Sequence, residues 1–482
     1  MLNRPTHCQR GKWDTLNRDA TVRRLHVVGV GGPGMSAIAT VLAQMGNKVS
    51  GSDIREWPVL DTLRELGVSI NIGHDPNVVK GCDIVTASSA IPGDNVELVA
   101  ARQNNISVLT RGQMLADICT NKTSIGVAGT HGKTTTASML MLMLRHADLN
   151  PSFIIGGEVL DVAAGAQWST GPLLVVEADE SDGTHSQLPL HGTILTNVDI
   201  DHLDYFGNID GIFAGFDSYL SKISGPKVLC LDDKRCAELE RRHESITYGI
   251  QSDADVKASR IVYEHGTSEF DVERREGSNT SYATLGRIVL PLRGQHNVLN
   301  ALGALTMAMS LEVPFEIGAK ALSEFKGVSR RFEPRGFADG VTFVDDYAHL
   351  PAEIRAVLTG ARDSSDTWNR VVAVFQPNRY NRMSVLSPEY ADAFVPADVV
   401  VITDIYPSGT TPIPGVTGKL VVNAVLDSHP RAQVAWIPQR PQLVDYLVSQ
   451  LLPGDLCISM GCGDIASLPD EVIRQRELLS SK

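Results

Sequence analysis

The stretch Ser124-Ile125-Gly126-Val127-Ala128-Gly129-Thr130-His131-Gly132-Lys133-Thr134-Thr135-Thr136 constrains this chain more than any other. Apolar Ile125 to Ala128 suits a buried strand, Gly129 and Gly132 let backbone N–H groups converge on an anion, and Thr134 onward suits a first helical turn. Strand, glycine turn and helix start in that order require an open α/β sheet with a phosphate at a helix N-terminus. Lys133 would reach the β- and γ-phosphates, and the Thr134 hydroxyl would ligate Mg²⁺. The loop is shorter than the usual pattern, because Val127 stands where a first glycine is normal. The competing reading is a glycine turn before an ordinary surface lysine.

At 482 residues the chain is long enough for about three domains. A net charge of −13 without a long basic run makes nucleic acid and anionic membranes poor partners, so anionic ligands need local glycine loops, arginines and metal. The seven cysteines show no CxxC spacing, which points to a reducing compartment and away from a zinc site. Residues 1–22 have no apolar periodicity and read as an extension without a signal-peptide core. The apolar run Met139 to Leu144 is too short to span a bilayer, and a cytoplasmic address without stable membrane association is expected.

A first domain is expected over residues 23–120. Leu25 to Val30 reads as a strand, and Gly29-Val30-Gly31-Gly32-Pro33-Gly34 forms a GxGxxG turn into a helix from Met35. The turn suits any diphosphate, and Asp53 either binds a ribose or caps the loop. Ser88 and Ser89 follow a further strand at the edge where ligands collect in such sheets, while His74 sits in an ambiguous loop.

The central domain is expected over residues 121–334. Leu173 to Val176 ends in Glu177-Ala178-Asp179-Glu180-Ser181-Asp182, where an acid beside a phosphate loop holds Mg²⁺; Glu177 comes first, and one or two of the others belong to a solvated turn. Gly192 to Asn197 delivers Val198-Asp199-Ile200-Asp201-His202, a His among hard oxygens suited to a second ion. His185 and His191 lack such company and read as structural, and residues 226–290 read as short strands without chemistry. Asn297 and Asn300 share a helix face and suit a purine edge, with capping as the commoner use of Asn297. Arg330-Arg331 either closes on a nucleotide or is solvated. A third α/β domain over residues 335–482 starts from the strand Val341 to Asp345 and the loop Asp346-Tyr347-Ala348-His349, and Arg379 and Arg382 after another strand suit a carboxylate.

Taken together, these motifs resemble the Mur ligase family, from Leu25 onward. The resemblance implies three α/β domains, a Rossmann-like one for a UDP-sugar, a P-loop ATPase-type one for ATP and a Rossmann-like one for an amino acid. It implies an ATP-dependent ligase joining L-alanine to UDP-N-acetylmuramate through an acyl phosphate. By the same resemblance Gly31, Gly32, Pro33, Gly34, Met35, Asp53, His74, Ser88 and Ser89 hold the UDP-sugar. Gly129, Thr130, His131, Gly132, Lys133, Thr134, Thr135, Asn297, Asn300, Arg331 and Asp346 hold ATP. Thr134, Glu177 and His202 take up to two Mg²⁺ ions, for which Mn²⁺ can substitute. Tyr347, His349, Arg379 and Arg382 hold the amino acid, and Lys133, Arg331 and His349 carry the chemistry. A monomer or weak homodimer is expected.

Three positions differ from the family pattern. Leu350 and Asn378 each stand where a histidine is usual, and Leu203 to Ser221 holds no lysine, so Asp199, Asp201 or water would complete a second ion's shell. Rejection of glycine rests on one methyl group, worth about 1–3 kcal/mol, so some glycine or serine use is expected. Three alternatives stay open: another amino acid or a peptide as acceptor, a nicotinamide-dependent oxidoreductase built on Gly29, Gly31, Gly34 and Asp53, and a non-catalytic nucleotide-binding protein.

Overall fold

The computed structural model describes residues 22–277, 281–363 and 368–480; the N-terminal extension, apart from Val22, lies outside them. Three sheets organise the chain. The first joins β1 (Arg24–Val28), β2 (Lys48–Asp53), β3 (Ser69–Ile72), β4 (Ile84–Ala87) and β5 (Ser107–Thr110) in the order β3-β2-β1-β4-β5, all parallel. Strand order reverses at β1, so the crevice at its carboxyl end is the topological switch point, and the first glycine loop lies there. β1 stops at Val28 rather than Val30, because Gly29 turns the backbone to a φ of 75° that a strand cannot hold.

The central sheet has β6 (Thr123–Ala128), β7 (Ser152–Val159), β8 (Ala164–Gln167), β9 (Leu173–Glu177), β10 (Gly192–Leu195), β11 (Lys227–Cys230), β12 (Ile246–Gly249), β13 (Val256–Glu264), β14 (Thr267–Arg275) and β15 (Tyr282–Leu290). Their order is β15-β14-β13-β12-β11-β10-β6-β9-β7-β8. β6 pairs in parallel with β9 on one side and β10 on the other, so three consecutive loops leave the same sheet edge: the phosphate loop, the acidic loop and the Asn197 loop. The region expected to hold short strands holds three of nine residues each, β13 to β15. Only Val256 and Ala258 of β13 are buried, and its second half alternates between half-buried and exposed residues, a half-covered face whose short apolar steps obscure the length in the sequence. The Met/Leu run lies in the helix Lys133–His146, buried from Thr134 through Leu144.

The third sheet contains β16 (Glu333–Ala338), β17 (Val341–Asp346), β18 (Arg370–Phe375), β19 (Val399–Ile402), β20 (Gln433–Trp436) and β21 (Asp455–Met460), ordered β16-β17-β21-β18-β19-β20. All its pairings are parallel except β16 with β17. The fold is therefore three-domain α/β.

The chain divides into two compact units. One runs through Ser259 and includes Asp271–Ile288 and Leu299–Lys326; the other comprises Arg260–Phe270, Val289–Val298 and Gly327–Lys482. Within the first unit one apolar core runs from Leu25, Met35, Ile38 and Val41 to Ile154, Ala166 and Leu174. The helix Pro33–Gln44 thus packs on the β7–β8 edge, where Gln44 Oε1 accepts from Trp168 N at 2.7 Å. No helix among the described residues is long and apolar enough to cross a membrane.

Candidate active site

At the first glycine loop, the amides of Gly29 and Val30 donate to Ser52 O at 2.8 and 3.0 Å. Asp53 is buried, and its two oxygens take the Gly31 amide at 2.9 Å and the Trp57 indole N–H at 3.0 Å. Its carboxylate therefore builds the loop, as in the capping alternative. A Cβ on Gly31 would come within 2.1 Å of the Trp57 ring, so only glycine fits beneath that indole. Pro33, Gly34 and Met35 form the first helical turn, with Met35 turned into the core. Ser88 abuts Gly29, 3.4 Å from where its Cβ would lie, while Ser89 is exposed.

His74 is anchored from below, its Nδ1 lying 3.1 Å from Glu97 Oε2 and 3.4 Å from Ser52 Oγ. Glu97 is fully buried and also faces His26 at 3.5 Å. Burial opposes its charge, but the bonds from His26, Ser52 and the Asp75 amide outweigh that and hold the carboxyl below its usual range.

The phosphate loop is stitched to the end of β10. Gly129 and Gly132 have φ of 121° and 81°. The Thr130 amide donates to Asn197 O at 3.1 Å and the His131 amide to Asn197 Oδ1 at 2.8 Å, while the Thr196 hydroxyl donates to His131 O at 2.6 Å. His131 Nε2 faces Asp199 Oδ2 at 3.2 Å. Thr135 is buried in the helix's first turn, and Asn300 closes on the loop from the helix Gln295–Ser310, its Oδ1 accepting from the Thr136 hydroxyl at 3.2 Å.

Lys133 is the electrostatic centre. Its Nζ donates to Gly129 O at 2.6 Å and lies 2.9 Å from both oxygens of Glu180. Burial disfavours the ammonium, but the charges of Glu180, Asp179 and Glu177 prevail and hold its pKa above the ordinary lysine value. Asp179 gains correspondingly: against burial, Lys133 and Arg111 bring its carboxyl down to about 2. For Glu180 burial wins over Lys133 and its carboxyl is pushed up.

Glu177 leaves β9 with Oε1 accepting from the Gly156 amide at 2.8 Å. Burial raises its carboxyl, opposed by that amide, by Lys133 and by a hydrogen bond from Thr134. Thr134 and Glu177, two of the three expected metal ligands, are thus neighbours, and a hydroxyl beside a buried carboxylate fits a hard divalent cation. His202 sits at φ 50° with Nε2 3.1 Å from Asp201 Oδ2. Among the described residues no three His, Cys, Asp or Glu side chains converge as a ready-made metal cluster. His185, expected to be structural, is buried against Phe216 and Tyr219 at 5.5 and 5.4 Å.

The other expected residues lie in the second unit. Both Asp346 oxygens accept backbone amides, from Phe332 and Ala348, each at 2.7 Å. Burial pushes this carboxyl up to about 6, against Arg331 and those two amides. Both paired arginines stand over the Tyr347 ring, at 5.2 and 5.1 Å, and Arg330 also donates to Asp345 at 2.8 Å and Gly461 O at 2.6 Å, locking the turn. His349 packs edge-on to Tyr347 and its Nδ1 lies 3.3 Å from Glu353. Arg382 is nearly buried and donates to Asn378 Oδ1 at 2.9 Å; Arg379 precedes it at φ 62°. Leu350, at a position usual for histidine, is buried and apolar. Asn297 donates to Arg293 O at 2.9 Å beside His296, whose imidazole burial and Arg331 lower to about 4.

Sequence reasoning passed over Arg111, Glu180 as the partner of Lys133, Trp57 and Glu97. Each acts through a residue distant in the chain, and only the stretch containing Glu180 carried any signal.

Comparison with known proteins covers nearly all of this architecture. Residues 24–123 match the model of the Mur ligase family catalytic domain, 127–308 the Mur ligase middle domain and 330–463 the Mur ligase glutamate ligase domain. The chain is 40% identical over 451 residues to the UDP-N-acetylmuramate–L-alanine ligase of Geobacter sulfurreducens, covering 92% of this chain and 96% of that one. It is likewise 40% identical to the ligase of the same name from Anaeromyxobacter sp., covering 93% and 97%. Among solved structures, the UDP-N-acetylmuramate-alanine ligase of Thermotoga maritima superposes with a TM-score of 0.79 at 28% identity, covering 95% of this chain and all (100%) of that one. A murein peptide ligase from Psychrobacter arcticus shares the fold, with a TM-score of 0.69 at 22% identity over 94% and 98% of the two chains. With family matches on all three domains and a relative alike over 92% of the chain, the chain belongs to the Mur ligase family.

Proposed function

We propose that this chain is an ATP-dependent ligase that joins L-alanine to the carboxylate of UDP-N-acetylmuramate, giving UDP-N-acetylmuramoyl-L-alanine, ADP and phosphate for peptidoglycan synthesis. One observation carries the reading: the 40% identity to a ligase of that name over 92% of the chain. The built phosphate loop around Lys133 supports it and leaves a nicotinamide enzyme without a use for that loop. Residues 23–120 would bind the UDP-sugar, 121–334 ATP and 335–482 the amino acid.

A carboxylate does not condense with an amine in water, because its leaving group would be oxide. Here a carboxylate oxygen attacks the γ-phosphorus of ATP, ADP leaves, and an acyl phosphate forms. The neutral amine of L-alanine then attacks the acyl carbon, and the tetrahedral adduct expels phosphate to leave the amide. Lys133, kept cationic by its acidic neighbours, would exchange its carbonyl and Glu180 contacts for phosphate oxygens. Thr134 and Glu177 would hold one Mg²⁺ and His202 a second, with Mn²⁺ able to replace them. When bound, such ions spread charge on the transferring phosphoryl group. Arg331 would meet the γ-phosphate. His349, oriented by Glu353, would take the proton released from the amine, and Arg379 and Arg382 would hold the alanine carboxylate. The enzyme would act in the cytoplasm as a monomer or weak homodimer.

The test is phosphate release from ATP with Mg²⁺ and UDP-N-acetylmuramate, adding L-alanine, glycine, L-serine or a peptide in turn. Release is expected to be strongest with L-alanine, with weaker use of glycine and serine. Strongest release with a peptide would move the chain to another branch of the family, and none with any acceptor would reject ligation.

A further inference from the structure

Arg111 opens the helix Arg111–Cys119, after the last strand of the first sheet, yet its side chain reaches the acidic loop that follows β9 in the central one. Its Nη2 lies 3.3 Å from Asp179 Oδ2 and 3.1 Å from Asp182 Oδ2. Its Nη1 has no partner among the described residues and stands 3.3 Å from where a Cβ on Gly34 would be, against the first glycine loop. In that loop the Gly31 amide is used by Asp53, those of Gly32 and Met35 by backbone carbonyls, and Pro33 has none. Among the described residues the Gly34 amide is the donor left at the helix start, and Nη1 of Arg111 stands against that same glycine. One guanidinium thus faces two sites, committed on one side and uncommitted on the other.

Resting on the ligase reading above, we propose that Arg111 binds the diphosphate of the UDP-sugar through Nη1 while Nη2 holds Asp179 and Asp182, and so couples occupancy of the UDP-sugar site to that of the ATP site. A diphosphate accepted by Nη1 and the Gly34 amide draws the guanidinium's charge away from the acidic loop. Asp179 interacts electrostatically with Lys133 as well as Arg111, so the loop's potential becomes more negative beside the phosphate loop. That change strengthens the acidic loop's hold on the Mg²⁺ that accompanies the nucleotide, and linkage requires the metal-bearing nucleotide to tighten the UDP-sugar by the same factor. A fork with two faces is what this needs; a lysine supplies one point charge.

The experiment is calorimetric titration of the full chain with UDP-N-acetylmuramate, alone and saturated with a non-hydrolysable ATP analogue and Mg²⁺, for the parent, Arg111→Ala and Arg111→Lys. In the parent the analogue should tighten the UDP-sugar about 5-fold or more. Arg111→Ala should weaken the UDP-sugar about 10- to 100-fold, the loss of a charge-assisted hydrogen bond, and bring the coupling factor to about one. Arg111→Lys should lose less affinity and still lose the coupling, a readout that a merely structural role would not move. Should Arg111→Ala fail to fold, the Arg111→Lys coupling factor decides. A parent that binds UDP-N-acetylmuramate without coupling, or variants that keep the parent's factor, would overturn this inference alone. A parent that does not bind UDP-N-acetylmuramate would overturn the functional reading as well.

Discussion

Replacing Lys133 by alanine should unfold the protein more readily as well as stop its chemistry, and the two effects can be separated. Lys133 and Glu180 form a buried pair, their side chains 15% and 3% exposed, with Nζ 2.9 Å from both carboxylate oxygens. Removing one partner of such a pair strands the other charge at a cost of about 3–5 kcal/mol. Gly129 O and Thr130 O also lose a donor, for about 1 kcal/mol each. Against a total of about 5–15 kcal/mol that is a large fraction. Glu180→Gln in the same chain removes the stranded charge and should recover about 2 kcal/mol or more without restoring turnover. Because Lys133 is held above the ordinary lysine value of 10.5, its half of the pair is intact below that pH and is lost only as pH rises through the higher folded value. Glu180 is pushed up by burial, so in acid it takes up a proton and the cost of Lys133→Ala shrinks. The assay is urea unfolding of the parent, Lys133→Ala and the double variant, compared as midpoints, with phosphate release and UDP-sugar binding on each folded protein. UDP-sugar binding should survive within about 5-fold, the coupling factor expected for the neighbouring site. A parental midpoint for Lys133→Ala, or a further loss on adding Glu180→Gln, would refute the reasoning.

Gly132→Ala places a Cβ 2.4 Å from Asn300 Oδ1 at a φ of 81°; strain of about 1–2 kcal/mol and a displaced Asn300 should abolish measurable ATP binding by calorimetry while UDP-sugar binding persists. Asp53→Ala leaves the Gly31 amide and the Trp57 indole without their acceptor; it should cost about 1–3 kcal/mol in a melt and raise KM for the UDP-sugar with KM for ATP unchanged. Asp346, raised to about 6 from 3.8, binds its proton more tightly folded than unfolded, so its contribution is full below pH 3.8 and lost as pH rises through 6. A shift of that size is on the order of 3 kcal/mol; urea midpoints between pH 4 and 7 should fall less steeply in Asp346→Asn, and an unchanged slope would contradict the assignment.

What could be read in the sequence was local. The order of strand, glycine turn and helix around Gly129 to Thr134 is a pattern of neighbours, as is the first glycine turn, and both lie where strand order reverses among parallel strands, as such patterns require. The acidic run after β9 was also visible, but not the division of labour within it. Glu177 beside Thr134, Glu180 on Lys133, and Asp179 with Asp182 on Arg111 depend on how three loops meet at one edge. The same limit applies to Asp53, whose carboxylate takes the Trp57 indole as well as the Gly31 amide, and to Arg330, which at a left-handed φ of 62° bonds Asp345 and the distant Gly461 O while sharing the Tyr347 ring with Arg331. Glu97 carries no motif at all, and its burial depends on the helix Val96–Gln103 bringing it against His26 of β1, Ser52 of β2 and His74.

In the proposed reaction ATP activates the sugar's carboxylate before the amine attacks. UDP-N-acetylmuramate labelled with oxygen-18 in that carboxylate, incubated with the enzyme, ATP, Mg²⁺ and L-alanine, tests it most directly by mass spectrometry of both products. The expected products are a sugar nucleotide carrying an alanyl residue and phosphate with one labelled oxygen in each molecule released. Phosphate free of label, or label in phosphate without an alanyl product, would contradict it.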